Sequence, residues 1–409
     1  MLQVLQNVKN GESELREVPP PALRPGGVLV RTAASLISAG TEKSVIELSK
    51  KSLLGKARER PDLVKQVISK ARTQGVVNTF QAVMTKMDQP LALGYSAAGV
   101  VEAVGAGITS LKIGDRVAIA GGGYASHAEV NYVPLNLATP IPAEVSFEDA
   151  AYGTVAAIAM QGVRLARPEL GEFVAVSGLG LIGLITIQLL KANGCRVIGI
   201  DFSKEKVDLA LRLGLDQGVV IPADDPHRAV DSFTKGRGVD LTLITAATTS
   251  NQPIELAGEI TRRKGSIVVV GAVGLNIPRP VYYPKELDVK ISMSYGPGRY
   301  DSSYEEGGLD YPYDYVRWTE QRNIESVLDL MASRKLDVRS LTTHRFPIEQ
   351  ALAAYELIQK GSEPYVGIVL TYDENKPQPK IVKAVKSAAA SPAGKERLGV
   401  GFVGREEDD

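Results

Sequence analysis

One stretch of the chain, FVAVSGLGLIGLITIQLL from residue 173, constrains the fold more than any other. An apolar, β-branched run leads into Gly178, Gly180 and Gly183, and a second apolar run follows. In this order the first glycine permits a tight turn, the second lets a pyrophosphate approach the backbone, and the third lets a helix pack closely on a strand. The pattern therefore predicts a strand, a phosphate-binding turn and a helix whose N-terminus faces the phosphates.

An acidic residue, Asp201, ends the next apolar run, CRVIGID. A carboxylate there can accept hydrogen bonds from both ribose hydroxyls and would repel a 2'-phosphate, so the sequence predicts NAD rather than NADP. The alternative is a glycine-rich turn with an incidental acid at a strand end. The predicted cofactor-binding residues are Gly178, Leu179, Gly180, Leu181, Ile182, Gly183, Asp201, Thr154, Thr245, Ala246, Gly271, Ala272 and Val273.

Two regions of different pattern divide the chain. Up to about residue 150, short β-rich runs such as GDRVAIAGGG alternate with glycine and proline, which predicts an irregular β-barrel-like domain. From 170 to 295 buried strand patterns, among them DLTLITA and SIVVVGA, alternate with helical ones, which predicts a doubly wound parallel sheet. Helices at 320–334 and 348–360 and a closing strand, YVGIVLTY, complete this α/β prediction.

Composition narrows the class of partner. With 47 basic and 47 acidic residues the formal net charge is +0, so no overall field favours nucleic acid or an anionic membrane, and we expect a small-molecule substrate. The single cysteine, Cys195, excludes a disulfide framework and a four-cysteine zinc lobe. Glycines interrupt the longest apolar stretch, so no membrane span is predicted, and the N-terminus lacks a signal-peptide pattern, from which we expect a cytoplasmic protein.

A basic insertion occupies residues 43–72, with nine Lys or Arg and three Asp or Glu. Val64, Val67, Ile68 and Ala71 follow helical spacing, so the insertion is predicted to be an amphipathic helix. It either packs on its own domain or acts as a substrate lid or as a subunit contact in a homo-oligomer.

The segment GYSAAGVVEAVGAGITSLKIGDRVA (94–118), together with the nucleotide-binding pattern, resembles the medium-chain dehydrogenase/reductase superfamily. The resemblance covers about residues 1–372. It implies a GroES-like catalytic domain at 1–155 and 315–372 and a Rossmann NAD-binding domain at 156–314.

The chain departs from its zinc-dependent relatives at the ligand positions. Ser38 and Ala39 replace the cysteine region, Tyr95 and Ser96 replace His and Glu, and the third position falls near Thr154. Zinc needs three protein ligands beside an open position, so no catalytic metal is predicted.

A closer resemblance is to a zinc-lacking subgroup that is fused to a second domain of the glucose-fructose oxidoreductase and inositol dehydrogenase type. The strings LISAGTE, KKSLLGKARERPDLV, SYGPGRYD and DYPYDYVRWTEQRN carry it. Residues 373–396 are predicted to be a linker, and RLGVGFVG in 397–409 resembles the truncated start of such a domain. A fused or separate second oxidoreductase domain is therefore an expected partner.

Without zinc, a side chain has to handle the hydroxyl proton. The resemblance places Tyr95, Glu42 and Thr41 around the former metal site, so these are the predicted catalytic residues; the alternative is that Tyr95 only fills the vacated space. His127 is expected in a strand, with no catalytic role.

Eight of the fifteen tyrosines lie between Tyr282 and Tyr315. We predict Tyr295, Arg299 and Tyr300 as substrate-binding residues, because rings can stack on a sugar face and Arg299 could clamp an anionic group. The alternative is an aromatic packing seam. Three functions remain in competition: an NAD-linked dehydrogenase of a sugar-like or sugar-nucleotide substrate, a dehydrogenase of a hydroxyethyl group on a bacteriochlorophyllide-like macrocycle, and a nucleotide-binding module without chemistry.

Overall fold

The structure is a computed structural model, and it describes residues 1–8, 10–50 and 90–373. Most of the predicted helical insertion at 43–72, nearly all of the predicted linker and the 397–409 tail lie outside these ranges.

Strands and helices alternate along the described chain. The strands are β1 (Leu2–Gln6), β2 (Ser13–Glu17), β3 (Gly27–Ile37), β4 (Leu91–Ala92), β5 (Ser96–Val104), β6 (Arg116–Ala120), β7 (Val130–Pro134), β8 (Ala138–Pro140), β9 (Phe173–Ser177), β10 (Arg196–Asp201), β11 (Gln217–Val220), β12 (Val239–Ile244), β13 (Thr261–Val269), β14 (Asp288–Ile291), β15 (Thr342–Pro347) and β16 (Gly367–Thr371). The helices are α1 (Ala39–Lys50), α2 (Phe147–Ala150), α3 (Gly153–Ala166), α4 (Leu181–Ala192), α5 (Lys204–Arg212), α6 (Pro226–Thr234), α7 (Gln252–Ile260), α8 (Arg279–Lys285), α9 (Ser302–Glu305), α10 (Glu320–Ala332) and α11 (Ala351–Lys360).

A parallel sheet forms the middle of the chain, with strand order β11-β10-β9-β12-β13-β14. This is the doubly wound order in which the chain reverses direction across the sheet between β9 and β12. The inner strands are apolar on both faces because helices cover both, and Val174, Val197 and Leu243 are fully buried. The predicted fold class is confirmed.

A second, mostly antiparallel sheet has the order β15-β16-β3-β5-β6-β8, and β7 also pairs with β3. The closing strand β16 lies against β3, so the C-terminal part of the described chain completes the sheet that the N-terminal part begins. Helix α3 connects the two sheets and packs on α4 and α10. One apolar core therefore runs from Val28 and Leu36 through α3 to Val176.

Elements after residue 300 agree with the sequence patterns. Helices α10 and α11 and strand β16 lie where helical spacing and an apolar run predict them. Thr319 begins α10 by accepting a hydrogen bond from the Arg322 N–H. None of the helices in the described ranges combines the length and the apolar character needed to cross a membrane.

Candidate active site

The glycine turn between β9 and α4 has the geometry that its sequence predicts. Gly178 has φ of +95°, and a Cβ there would lie 2.6 Å from the Ala246 nitrogen. A Cβ on Gly183 would lie 2.0 Å from the Gly178 oxygen, whereas a Cβ on Gly180 would meet open space. The first and third glycines thus permit close packing, and the second leaves the backbone open to a ligand.

The N-terminus of α4 suits an anion. Gly180 is its N-cap residue and supplies no side-chain oxygen for the first N–H groups. Helix α4 is twelve residues long, and its dipole adds partial positive charge at this end. The backbone N–H groups of Leu181, Ile182 and Gly183 are therefore positioned for phosphate oxygens.

Asp201, at the end of β10, is tied to the glycine turn. Its Oδ2 accepts a hydrogen bond of 2.7 Å from the Leu179 N–H, and its Oδ1 accepts one of 2.9 Å from the Ser203 N–H. Each carboxylate oxygen can accept a second hydrogen bond, so capacity remains for two ribose hydroxyls. The next residue, Phe202, is 72% exposed.

Residues from β12 and β13 meet the turn at the reversal point of the sheet. The Thr245 Oγ1 donates to the Gly178 oxygen at 2.5 Å, and a Cβ on Gly271 would lie 2.0 Å from the Ala246 oxygen. Ala272 accepts from the Thr248 N–H, and Val273 follows it in the same loop. The predicted cofactor residues of the three strands thus share one edge of the sheet. Thr154 lies in the first turn of α3, where its Oγ1 donates to the Ile119 carbonyl at 3.5 Å.

A hydroxyl cluster lies around Tyr95, one of the positions at which the sequence resemblance predicts a lost zinc ligand. The Tyr95 hydroxyl hydrogen-bonds with the side chains of Ser38 and Thr41, and the Ser38 Oγ donates to the Thr41 Oγ1 at 3.3 Å. Burial raises the pKa of Tyr95, and the nearby Glu42 carboxylate adds to this effect, while the two hydroxyl contacts lower it in part. The phenol is therefore protonated at neutral pH and can donate a hydrogen bond.

The other positions at which the sequence resemblance predicts lost ligands also hold hydroxyls that bind protein oxygens. Ser96 donates to the Ala151 carbonyl at 2.6 Å, and Thr154 donates as described above. Within residues 1–8, 10–50 and 90–373 no group of three or more His, Cys, Asp or Glu side chains is arranged to hold a metal ion. Neutral hydroxyls of this kind are poor substitutes for the thiolate and imidazole ligands that zinc prefers.

Glu42, in the first turn of α1, is buried beside this cluster and has protein partners on both oxygens. Its Oε1 accepts from the Ser38 N–H at 3.0 Å and lies 3.4 Å from the His127 Nε2, and its Oε2 accepts from the Tyr355 hydroxyl. The carboxylate therefore fixes the turn that carries Ser38 and Thr41.

This arrangement around Glu42 was not foreseen from the sequence. The His127 Nδ1 is 2.7 Å from the Ser35 Oγ, which is also 2.7 Å from the Tyr372 hydroxyl. The expectation that His127 lies in a strand was wrong: it lies in a bend before β7, packed against Gly94. The sequence signal that could have placed His127 here is Gly94, the residue before Tyr95. A Cβ at Gly94 would lie 2.7 Å from the backbone nitrogen of His127.

The predicted substrate residues lie together in the aromatic segment. The Arg299 guanidinium is 4.1 Å from the Tyr300 ring centroid and 5.3 Å from that of Tyr295, and its Nη1 pairs with the Glu305 Oε1 at 2.6 Å. Tyr300 is 70% exposed, whereas Tyr295 is buried.

Tyr124 connects the aromatic segment to the hydroxyl cluster. The Gly121 N–H donates to the Tyr95 carbonyl, and the Tyr124 N–H donates to Gly121. At its other end the Tyr124 hydroxyl meets Glu306; burial, then the charge and hydrogen bond of Glu306, raise the pKa of Tyr124. The loop after β6 therefore reaches from the hydroxyl cluster to the aromatic segment.

Two family models match this chain. The model described as zinc-binding dehydrogenase matches residues 182–307, and the alcohol dehydrogenase GroES-like domain matches 65–143. The chain is 32% identical over 287 residues to an alcohol dehydrogenase of Geobacillus stearothermophilus, covering 61% of this chain and 82% of that protein. It is 27% identical over 303 residues to a sorbitol dehydrogenase of Rattus norvegicus, covering 67% and 78%.

Solved structures share the fold. An alcohol dehydrogenase from Thermus sp. ATN1 superposes with a TM-score of 0.70 at 22% identity, covering 91% of this chain and 100% of that one. A galactitol-1-phosphate dehydrogenase from Escherichia coli gives a TM-score of 0.69 at 21% identity, with coverages of 91% and 100%. The predicted combination of a GroES-like domain and a Rossmann domain is thereby confirmed.

Proposed function

We propose a function from one premise: this chain belongs to the medium-chain, zinc-type alcohol dehydrogenase-like family. The proposed function is an NAD(H)-dependent oxidoreductase that transfers hydride to or from a hydroxyl or keto group of a sugar-like or sugar-nucleotide substrate, without catalytic zinc. The observation that carries it is the Tyr95, Ser38 and Thr41 hydroxyl cluster at the former metal site of a chain with a complete dinucleotide-binding turn.

NAD(H) is the proposed cofactor. The carboxylate of Asp201, bonded to the glycine turn, fits ribose hydroxyls and would repel a 2'-phosphate. Phe202 offers a ring face for the adenine. A similar Escherichia coli structure is described as complexed with NADH, which supports the same cofactor here.

Tyr95 is the proposed proton donor. When NADH is bound it supplies a hydride to a carbonyl carbon, and the carbonyl oxygen then needs a proton. Tyr95 carries that proton at neutral pH, as any phenol does, and the raised pKa of Tyr95 keeps it protonated until the proton is transferred to the developing alkoxide, a much stronger base. Ser38 and the exposed Thr41 form a hydrogen-bonded route by which the phenol can regain a proton from solvent. In the reverse direction the same route removes the alcohol proton.

Glu42 has a supporting role in this mechanism. Its carboxylate is bonded to the Ser38 N–H, His127 and Tyr355, so it holds the turn and does not transfer the proton directly. This modifies the general-base role that the sequence alone predicts for Glu42.

The absence of a catalytic zinc is part of the proposal, although the matched family is described as zinc-binding. Hydroxyls at Ser38, Ser96 and Thr154 each donate to another protein oxygen, and a metal would have to compete with those bonds. Accordingly we also propose that the chain belongs to the zinc-lacking subgroup, whose members carry a fused second oxidoreductase domain.

Similar proteins support the substrate assignment. Relatives described as sorbitol and galactitol-1-phosphate dehydrogenases act on polyols, which favours a sugar-like substrate. We retain the predicted domain division, because the strands of the mostly antiparallel sheet lie in 1–155 and 315–372 and those of the parallel sheet lie in 156–314. A cytoplasmic location and a homo-oligomer remain proposals.

Steady-state turnover with the full chain tests the function. NADH oxidation is followed with keto-sugars, nucleotide sugars, simple ketones and an acetyl-substituted porphyrin, and with Tyr95→Phe as the matched variant. Turnover of a sugar-type carbonyl that Tyr95→Phe loses supports the proposal. Turnover of the porphyrin alone would favour the macrocycle, and tight NADH binding without turnover of any carbonyl would favour a non-catalytic module.

A further inference from the structure

His127 is a buried titratable side chain that the proposed proton transfer does not use. It is completely buried, and both of its ring nitrogens have polar partners. The Nε2 is 3.4 Å from the Glu42 Oε1, and the Nδ1 is 2.7 Å from the Ser35 Oγ. The Ser35 Oγ is in turn 2.7 Å from the Tyr372 hydroxyl. The imidazole therefore joins strand β3 to the first turn of α1.

The partners of the neutral ring fix which nitrogen carries the proton. An ionised carboxylate only accepts hydrogen bonds, so the nitrogen that faces Glu42 is the donor. A hydroxyl can donate, so the Nδ1 accepts from Ser35, and Ser35 accepts from Tyr372. All the donors then point in one direction, from Tyr372 through Ser35 and His127 to the Glu42 carboxylate.

The surrounding backbone holds the imidazole in this orientation. Ser35 lies inside the mostly antiparallel sheet, where β3 pairs with both β5 and β16. The His127 N–H donates to the Leu93 carbonyl at 2.8 Å, and a Cβ on Gly94 would lie 2.8 Å from the His127 Cγ. Gly94 immediately precedes Tyr95, so the ring packs against the backbone that carries the proposed proton donor.

Glu42 connects this imidazole to the hydroxyl cluster. The Glu42 Oε1 that faces His127 also accepts from the Ser38 N–H at 3.0 Å. Ser38 precedes α1, and its side chain and that of Thr41 hydrogen-bond the Tyr95 hydroxyl. Without the imidazole, the shared carboxylate oxygen loses one of its two donors in a buried place, which is unfavourable, and the turn is free to shift.

We propose that His127 is a positioning residue for the proton transfer. By donating from its Nε2 to Glu42 it holds the turn of Ser38 and Thr41, and with it the Tyr95 hydroxyl, in the orientation that meets the substrate oxygen. His127 keeps its own proton throughout, and only Tyr95 gives one up. The inference rests on the proposed function, and it gives a part to a histidine for which the sequence predicts no catalytic role.

Two substitutions of His127 separate the roles of its two nitrogens. The side-chain nitrogen of Gln lies close to the place of the imidazole Nε2, and that of Asn lies close to the place of the Nδ1. His127→Gln should therefore keep a donor for Glu42, whereas His127→Asn should lose it, although both lose the ring. The matched control is His227→Asn, at an exposed histidine on α6.

Hydrogen exchange at the Ser38 amide, followed by NMR in the full chain with NADH, tests the turn without any turnover. Protection of this amide should fall about tenfold in His127→Asn, because the carboxylate that accepts its hydrogen bond is released. Protection in His127→Gln and in His227→Asn should match that of the wild type. Equal protection in all four proteins would overturn the inference.

Steady-state kinetics with the carbonyl substrate that the wild type turns over test the link to Tyr95. His127→Asn should lower kcat about tenfold with nearly unchanged KM and NADH affinity, because a misplaced proton donor affects the transition state more than binding. His127→Gln should recover most of this loss. In Tyr95→Phe, adding His127→Asn should cause little further loss, since residues that act as a unit are not additive.

Equal losses of kcat in His127→Asn and His127→Gln, or a loss that adds to that of Tyr95→Phe, would leave His127 with a packing role only and refute the proposal. If His127→Asn does not fold, Ser35→Ala carries the test. Without the Ser35 donor the ring can hold its proton on Nδ1 and release Glu42, so Ser35→Ala should show the same loss of Ser38 protection and of kcat.

The two proposals fail separately in this design. Ser38 protection that depends on the donor at His127, in a protein that turns over no carbonyl, supports the positioning of the turn and counts against the oxidoreductase. Hydride transfer that Tyr95→Phe abolishes but that both His127 variants retain supports the oxidoreductase and removes His127 from the mechanism.

Discussion

Replacing the buried acid at the start of α10 should stabilise the protein. Glu320 has no hydrogen-bond partner among the described residues, and its pKa is raised to about 9 from an ordinary value of 4.5. Between these two pH values the unfolded chain has lost this proton while the folded chain retains it. Because the folded state then binds more protons, the free energy of unfolding falls as the pH rises through this window.

The size of the effect follows from the shift. Each pH unit in the window costs about 1.4 kcal/mol, so at pH 7 the cost to the folded protein is about 3 kcal/mol. Gln has nearly the shape of Glu and does not ionise. Glu320→Gln should therefore raise the free energy of unfolding by about 3 kcal/mol at pH 7, and its advantage over the wild type should grow toward pH 9.

Urea unfolding between pH 5 and 9, followed by circular dichroism, measures this difference. The matched control is Glu325→Gln, an exposed acid on the same helix, which should leave the free energy of unfolding and its pH dependence nearly unchanged. If the free energies of unfolding of the wild type and of Glu320→Gln change in parallel with pH from 5 to 9, Glu320 is ionised and paired in the folded protein. The reasoning would then fail.

Three further predictions concern the cofactor, the metal and the proton. NADH should bind about tenfold more tightly than NADPH, because the Asp201 carboxylate repels a 2'-phosphate. Asp201→Ser should reduce this difference in affinity. Equal affinities of the wild type for NADH and NADPH in a fluorescence titration would refute the assignment of NAD as the cofactor. Elemental analysis of the purified protein should find no stoichiometric zinc, and chelators should not inhibit it, since Ser38 and Tyr95 stand at ligand positions; about one zinc per chain would contradict this. Tyr95→Phe should lower kcat by about a hundredfold with nearly unchanged NADH affinity. Glu42→Gln should lower kcat less than Tyr95→Phe does, because the amide keeps an oxygen that can accept the hydrogen bond from the Ser38 N–H. If Tyr95→Phe has the single-turnover rate of the wild type, Tyr95 only fills space and does not transfer the proton.

The parts of the site that sequence could predict are those whose chemistry is local. The glycine turn needs its residue types at fixed spacing, and the strands beside it are apolar because both faces are buried. Thr41 contacts Tyr95, because the first turn of α1 lies beside the residue that precedes β5.

The parts that sequence missed depend on distant segments. Tyr355 in α11 and Tyr372 after β16 reach the Glu42 region from the far end of the chain, where β16 pairs with β3. Glu320 follows the capping residue Thr319, a position where acids are ordinarily exposed and favourable to the helix. Its burial comes from the loop that folds over it, and no local pattern signals that loop.

The buried partners of Glu42 fit the proposed zinc-free mechanism. A carboxylate that is 3% exposed needs compensating donors, since an unpaired buried charge is strongly unfavourable. Beside a bound metal ion, the ion itself would supply opposite charge. Here the Ser38 N–H, His127 and the Tyr355 hydroxyl surround the carboxylate from three different segments of the chain. We infer that the hydroxyls at the ligand positions and the donors around Glu42 form one adaptation, in which hydrogen bonds hold the geometry that coordination holds in a zinc enzyme.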